Sequence, residues 1–375
     1  MSRVVLVGPV PPVRSGIADQ DERLLRAMGR LGVAPLVVTF RRMYPPFLYP
    51  GRVDRGEGGV PEGLGEVHEI LDGLNPLSFV SAARFVAERG ADLVLVPWWT
   101  TYFAPHALAF LSTLGAESPG SVRLLLCHNV WDHETGPLRI ALARSVLRRA
   151  DRIAVQNRRA EAELLAELRE TPVAVVPHPS EPRAILPDRE TARARLGVPA
   201  GIPVFLFSGI LRPYKGWDLL LDAFRRLQGE LPEALLVLAG EPWGDAASLV
   251  AERNVRLELR YLREEERDLW FAASDAIVCP YRHATGSGIA ADALAHGRPV
   301  IGTRVDGLLE VIEEGASGLL VPPGDAAALA AAMLRFARER LGARLSAGAV
   351  ARAKAFHPDA HARRLLAFGG VGVPS

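Results

Sequence analysis

The sequence predicts an α/β protein of two Rossmann-like domains, each a parallel sheet wrapped by helices, with the two sheets facing a cleft. Three observations carry this expectation. Short, almost continuously apolar runs alternate with helical stretches through the first half, as strands covered on both faces do. A proline-dense segment, Val176-Pro177-His178-Pro179-Ser180-Glu181-Pro182-Arg183, interrupts the alternation and reads as a linker. The same rhythm then restarts. At 375 residues the chain exceeds one ordinary core, and about 150 residues per domain gives two.

In the first half, strands are expected at 4–7, 35–39, 92–96, 122–126, 152–155 and 173–176. Helices are expected at 18–31, 77–87, 138–149 and 158–168. In the second half the strands fall at 204–207, 235–239, 255–257, 276–278, 299–301 and 318–321, with helices at 218–227, 264–272, 288–296 and 326–338. Repeated βα units imply right-handed crossovers, and ligands of such sheets bind beyond the carboxyl ends of the strands. The domains are set at 1–180 and 184–355, with a carboxyl-terminal helix in 356–375 (about 360–368) returning to the first.

Composition excludes several classes. The 44 basic and 43 acidic residues leave a net charge of +1, so no global field draws nucleic acid or an anionic membrane. Arginine outnumbers lysine 42 to 2. The two cysteines, Cys127 and Cys279, each close an apolar run in a different half and read as buried free thiols. The amino-terminal apolar run is short for a signal peptide, and no run approaches the roughly 18 residues that span a bilayer. The expected location is the cytoplasm, or the inner face of the membrane.

The most informative segment is Ser208-Gly209-Ile210-Leu211-Arg212-Pro213-Tyr214-Lys215-Gly216, between a strand and a helix. Arginine supplies a planar fork of donors and lysine a compact charge, and a helix amino terminus follows. That layout suits a diphosphate, and the alternative is a surface loop with two solvated cations. In the first half, Ser15-Gly16 opens a helix after a proline-stiffened loop, where free N–H groups can meet an anion. An ordinary N-cap serine explains it equally well. His128 and Asn129 stand at a strand's carboxyl end, a better place for a ligand than for the core.

Later, Thr285-Gly286-Ser287-Gly288 forms a turn with little steric cover, a nest for phosphate or sugar oxygens. Asp292 follows among small residues, where vicinal hydroxyls or an arginine such as Arg298 would satisfy it. No metal is expected: His128, His133 and Glu134 match no standard ligand spacing. The Asp19-Gln20-Asp21 pair is assigned to the first turn of a helix, where acids favour the dipole, and is given no catalytic role. The aromatic, basic stretch 40–51 is a candidate acceptor-binding or peripheral membrane-contact loop, with a self-packed connection as the alternative.

Taken together, these residues resemble a family 4 (group 1) glycosyltransferase of the GT-B fold. The resemblance is strongest over about 200–325, in the segment around Arg212 and Lys215, in Asp292-Ala293-Leu294-Ala295-His296-Gly297-Arg298-Pro299, and in Gly318-Leu319-Leu320-Val321-Pro322-Pro323-Gly324-Asp325. It implies retaining transfer of a sugar from a nucleotide diphosphate donor, a substrate rather than a cofactor, to an acceptor that the sequence leaves unidentified. Arg212 and Lys215 would take the diphosphate, joined by His128 as catalytic groups. Ser15, Gly16, Gly209, Thr285, Gly286, Ser287, Gly288 and Asp292 would bind the donor. Two departures stand out: Asp292 is one methylene shorter than the family's glutamate, and Ala284 stands where a second glutamate usually lies. A non-catalytic sugar-nucleotide-binding relative, or a sugar-nucleotide epimerase on the same fold, is the alternative. A pyridoxal-dependent phosphorylase is disfavoured because Lys354 is poorly placed.

Overall fold

The computed structural model describes residues 3–44, 55–56, 58–130, 136–180 and 186–373. The chain divides into two compact units: Met1–Pro179 with Pro358–Ser375, and Ser180–His357.

The first unit holds a seven-stranded parallel sheet. Its strands are β1 (Val4–Val7), β2 (Leu36–Arg42), β3 (Glu66–Asp72), β4 (Leu93–Trp98), β5 (Val122–Cys127), β6 (Arg152–Val155) and β7 (Val173–Val175), in the spatial order β3-β2-β1-β4-β5-β6-β7. Every pairing is parallel. Because successive side chains point to opposite faces, each strand feeds two cores. Val5, Val7, Val94, Val96, Leu125 and Ile153 pack on one face; Val4, Leu6, Leu93, Leu95, Leu124 and Ala154 pack on the other. The second face is covered by α1 (Gly16–Arg30) and α13 (Pro358–Phe368), through Leu24, Leu25 and Met28 against Ala362, Leu365 and Leu366. Arg30 pairs with Asp359 at 2.7 Å, fastening the terminal helix to the first. Helices α2 (Leu77–Glu88), α3 (Ala104–Glu117), α4 (Pro137–Leu147) and α5 (Arg158–Glu167) complete the unit.

The second unit is a six-stranded parallel sheet of β8 (Val204–Ser208), β9 (Leu235–Ala239), β10 (Val255–Glu258), β11 (Ala276–Cys279), β12 (Val300–Thr303) and β13 (Gly318–Val321). Its order is β10-β9-β8-β11-β12-β13. The helices are α6 (Arg189–Leu196), α7 (Trp217–Gln228), α8 (Glu264–Ala273), α9 (Gly288–Ala295), α10 (Asp306–Leu309), α11 (Ala326–Arg338) and α12 (Gly342–Ala353). Phe205, Phe207, Phe224, Trp270 and Phe271 anchor its core.

Five elements escape the sequence reading, one of them the single turn α10. Strand β3 mixes polar and apolar residues because it pairs with β2 alone and keeps Glu66 and Glu69 exposed. Helix α3 carries Pro105 in its first turn and Gly115 near its end, and it is too apolar all round to show a clean stripe. Helix α6 has almost no apolar residue; Asp188 caps it by accepting from Thr191 N. Helix α12 contains two glycines and a serine, so its propensity is weak. Lys354 lies in a 3₁₀ turn, Lys354–Phe356, and not on a regular helix. No helix among the described residues is long and apolar enough to cross a membrane.

Candidate functional site

In the second unit, β8 ends at Ser208 and the chain turns through Gly209, whose φ of +104° favours glycine. A methyl group there would lie 3.1 Å from Lys215 Nζ, so glycine leaves room for the lysine to fold back over the strand end. Arg212 stacks its guanidinium over the Trp243 ring at 4.1 Å, and its buried Nε has no partner. Among the described residues neither Arg212 nor Lys215 has a carboxylate partner. Other arginines of this unit do: Arg225 pairs with Glu252 at 2.5 Å, Arg193 with Asp275 at 2.8 Å and Arg282 with Asp218 at 2.6 Å. Burial lowers the Lys215 ammonium to about 8, with Arg212 adding to the fall and Cys279 opposing it. Two cations without carboxylate partners thus stand together at the end of a strand.

The loop is held by a residue that the sequence reading missed. Arg282 donates to the Pro213 carbonyl (2.6 Å) and to both oxygens of Asp218 (2.8 and 2.6 Å), while its N–H donates to Tyr214 O. It ties the turn before α7 to the loop after β11. Gly216 caps α7 at φ +69°, with no side chain competing for the first N–H groups. Basic residues near a strand end are easily read as ligand groups, and only the coordinates separate Arg282 from Arg212.

The 285–288 turn follows the other loop. Ser287 caps α9 by accepting from Ala290 N at 3.1 Å, and its hydroxyl lies 3.5 Å from the buried Tyr281 hydroxyl. The turn packs tightly on α10: Gly307 donates to Ala284 O, and a methyl at Gly307 would meet Gly286 N at 2.5 Å. Gly288 faces open space. Thr285, Gly286, Ser287 and Gly288 thus share the loop between β11 and α9, and Gly209, Arg212 and Lys215 share that between β8 and α7.

Asp292 is buried at 4% exposure. Its Oδ1 accepts a short hydrogen bond from Ser180, and its Oδ2 lies 3.7 Å from Arg267. The arginine beside it is therefore Arg267; Arg298 instead donates to the Ala272 carbonyl.

In the first unit, Ser15 accepts from Ala18 N at 3.0 Å as the N-cap of α1, and Gly16 faces open space. His128 follows β5 with Nδ1 accepting from Gln156 Nε2 at 2.8 Å. His128 Nε2 is buried without a partner. Burial, and then His178 and His361, hold this imidazole well below its ordinary range. Asp21 corrects the sequence reading. It lies in the second turn of α1, 1% exposed, with Oδ2 lacking any partner, and burial pushes its carboxyl well above the usual carboxylate range. A helix-dipole role does not describe a buried, unpaired acid; its signal was the apolar residues around it, Leu24 and Leu25.

Among the described residues no three His, Cys, Asp or Glu side chains group in a way that could hold a metal. His133 and Glu134 lie outside the described residues, as does most of the 40–51 stretch. Cys127 and Cys279 are buried and free.

Comparison with known proteins agrees with this architecture. Residues 202–339 match the model of the glycosyl transferases group 1, and residues 15–179 match that of the glycosyl transferase 4-like domain. A D-inositol 3-phosphate glycosyltransferase of Catenulispora acidiphila is 32% identical over 361 residues, covering 87% of this chain and 81% of its own. One from Nocardioides sp. is 34% identical over 200 residues, 48% of this chain; that match spans 44% of the relative's length, and several other curated relatives are likewise matched over about half of theirs. Among solved structures, sucrose-phosphate synthase from Thermosynechococcus elongatus superposes with a TM-score of 0.76 at 20% identity, over 97% of both chains. Anabaena Alr3699/HepE, solved in complex with UDP, gives 0.75 at 16% identity, over 97% of this chain and 98% of its own. The sheets, the strand-end loops and these matches agree that the chain belongs to the family 4, group 1 glycosyltransferases of the GT-B fold.

Proposed function

We propose that the protein is a retaining, metal-independent hexosyltransferase that moves a sugar from a nucleoside diphosphate donor to a hydroxyl-bearing acceptor. The observation that carries this reading is the pair Arg212 and Lys215, two cations without carboxylate partners beside the start of α7, where no side chain accepts from the first N–H groups. A diphosphate leaving group supplies the missing negative charge, and it gains most when the sugar departs and charge develops. In this reading the second unit binds the donor, with Gly209 and the 285–288 turn around the diphosphate and sugar, and Asp292 near the ribose. In the first unit, Ser15, Gly16 and His128 are the candidate ligand groups. No dedicated base is assigned: the leaving diphosphate helps to deprotonate the acceptor, and the protein contributes position and charge.

The relatives named for D-inositol 3-phosphate, and the neighbour solved with UDP, support a uridine-type donor and a small polyol-like acceptor as the first to try. The nucleotide sugar is a substrate, so no cofactor is proposed. The 40–51 stretch remains a proposed acceptor or membrane contact, with action at the cytoplasmic face. The test is transfer of label from a panel of nucleoside diphosphate hexoses, in the presence of EDTA, with the product's anomeric configuration read by NMR. Retention without added metal is expected; an inverted product or a requirement for added divalent metal would overturn the reading.

The state of Lys215 adds a pH prediction. Only the ammonium attracts phosphate, and in the free protein it titrates near 8, where burial and Arg212 disfavour the charge. Diphosphate binding raises that value by supplying an anion. Affinity for a nucleoside diphosphate should therefore be constant below pH 7 and fall by up to about tenfold per pH unit above 8. Affinity for the parent nucleoside should stay flat, and calorimetry across pH 6–10 reads both.

A further inference from the structure

The first unit contains a small cavity behind the strand ends, whose lining is mostly apolar but includes Gln20, Asp21, His128, Gln156, His178 and His361. Its volume is about 30 Å³, room for a water or a hydroxyl group and little more. Two of its lining residues carry a buried polar atom without a partner: Asp21 Oδ2 and His128 Nε2. The chemistry of the pair is complementary. Gln156 Nε2 donates to His128 Nδ1, so a neutral imidazole must carry its proton on Nε2. Asp21 Oδ2 offers a lone pair. A hydroxyl or water can accept from the one and donate to the other, and leaving either group unmet in a buried site is costly.

The surroundings hold both groups in place. A methyl at Gly8 would meet Asp21 Oδ2 at 2.8 Å and Pro97 Cγ at 2.8 Å, so the absence of a side chain at Gly8 gives the carboxyl its seat. Gln156 also lies 3.5 Å from His178 Nδ1, and His361 Nδ1 donates to the Pro177 carbonyl at 2.9 Å. The imidazoles next to His128 are thus tied to the end of β6 and the segment after β7. Among the described residues the acid is the only carboxylate on the cavity wall.

We propose that Asp21 is a positioning residue for His128. A single bridging hydroxyl, from water or a ligand, accepts from His128 Nε2–H and donates to Asp21 Oδ2, holding the ring and its proton in place in the tautomer that Gln156 sets. This rests on the proposed function only where His128 is said to serve sugar transfer; the bridge itself is independent of the reaction.

The test is ¹⁵N NMR of the full chain without donor, with the His128 ring signals assigned by their loss in His128→Gln. The wild type should show one tautomer, protonated at Nε2, with a ring proton shielded from exchange. Asp21→Leu, which fills the space without an acceptor, should keep the tautomer that Gln156 sets but expose the ring proton to fast exchange and shift its signal, while Asp21→Asn, whose amide oxygen can still accept, should keep the proton shielded. Unchanged His128 signals in Asp21→Leu, or a wild type protonated at Nδ1, would overturn the proposal. If Asp21→Leu does not fold, a high-resolution crystal structure of the wild type decides. Density for one oxygen within hydrogen-bond distance of both atoms supports the bridge, and an empty cavity overturns it. Because these readouts need no turnover, failure of the transferase reading would leave them intact.

Discussion

Replacing Lys215 with alanine should weaken nucleoside diphosphate binding by roughly 10- to 100-fold, with nucleoside binding hardly changed. A hydrogen bond to a charged group is worth about 1.5–3 kcal/mol, which converts to that range of affinity. The lysine has no internal carboxylate to release, so its whole charge is available to the ligand. Arg212→Ala should fall in the same range, although part of its loss comes from stacking on Trp243 at 4.1 Å. Arg282→Ala separates charge from architecture. It should lower affinity less steeply and destabilise the second unit, because this arginine is spent on Asp218 and the Pro213 carbonyl. Isothermal titration with nucleoside and nucleoside diphosphate distinguishes these cases. Equal losses for both ligands in Lys215→Ala would remove the lysine from the diphosphate site.

Gly216→Ala should cost on the order of 3 kcal/mol in the stability of the second unit, from left-handed backbone strain plus a steric clash. The residue sits at φ +69°, and an added methyl would lie 2.1 Å from the Pro280 carbonyl oxygen. The clash cannot be relieved by rotating a side chain, because the obstructing atom is backbone. Relief requires parting the β8–α7 loop from the segment after β11, the two loops that carry the candidate donor groups. A unit of this size would lose roughly 6–12 °C in its thermal transition. Scanning calorimetry should show this fall together with weaker diphosphate binding. Unchanged melting would mean that the loop yields more easily than its packing implies.

The sequence discloses the α/β rhythm well because buried parallel strands are apolar on both faces and need no pairing partner to be seen. Val4–Val7, Arg152–Val155, Leu235–Ala239 and Gly318–Val321 fall where expected, to the residue. Elements whose stability comes from outside themselves are harder to read. Strand β3 is an edge, α6 leans on its Asp188 cap, and α12 has poor intrinsic propensity. The strand-end residues Arg212, Lys215 and His128 were legible from their position after apolar runs. What each one touches was not. The partners of Asp292 come from Ser180 and Arg267, 112 and 25 residues away in sequence, and the burial of Asp21 depends on β1, β4 and β5 closing around α1. An acid in a helix start looks like a dipole partner until the fold shows which side of the helix it faces.

The central claim is that the unneutralised pair on the β8–α7 loop holds the donor diphosphate. The most direct measurement is a crystal structure with a nucleoside diphosphate bound. Diphosphate oxygens within hydrogen-bond distance of both Lys215 Nζ and the Arg212 guanidinium are the predicted result. A diphosphate seated elsewhere, in contact with neither cation, would contradict it.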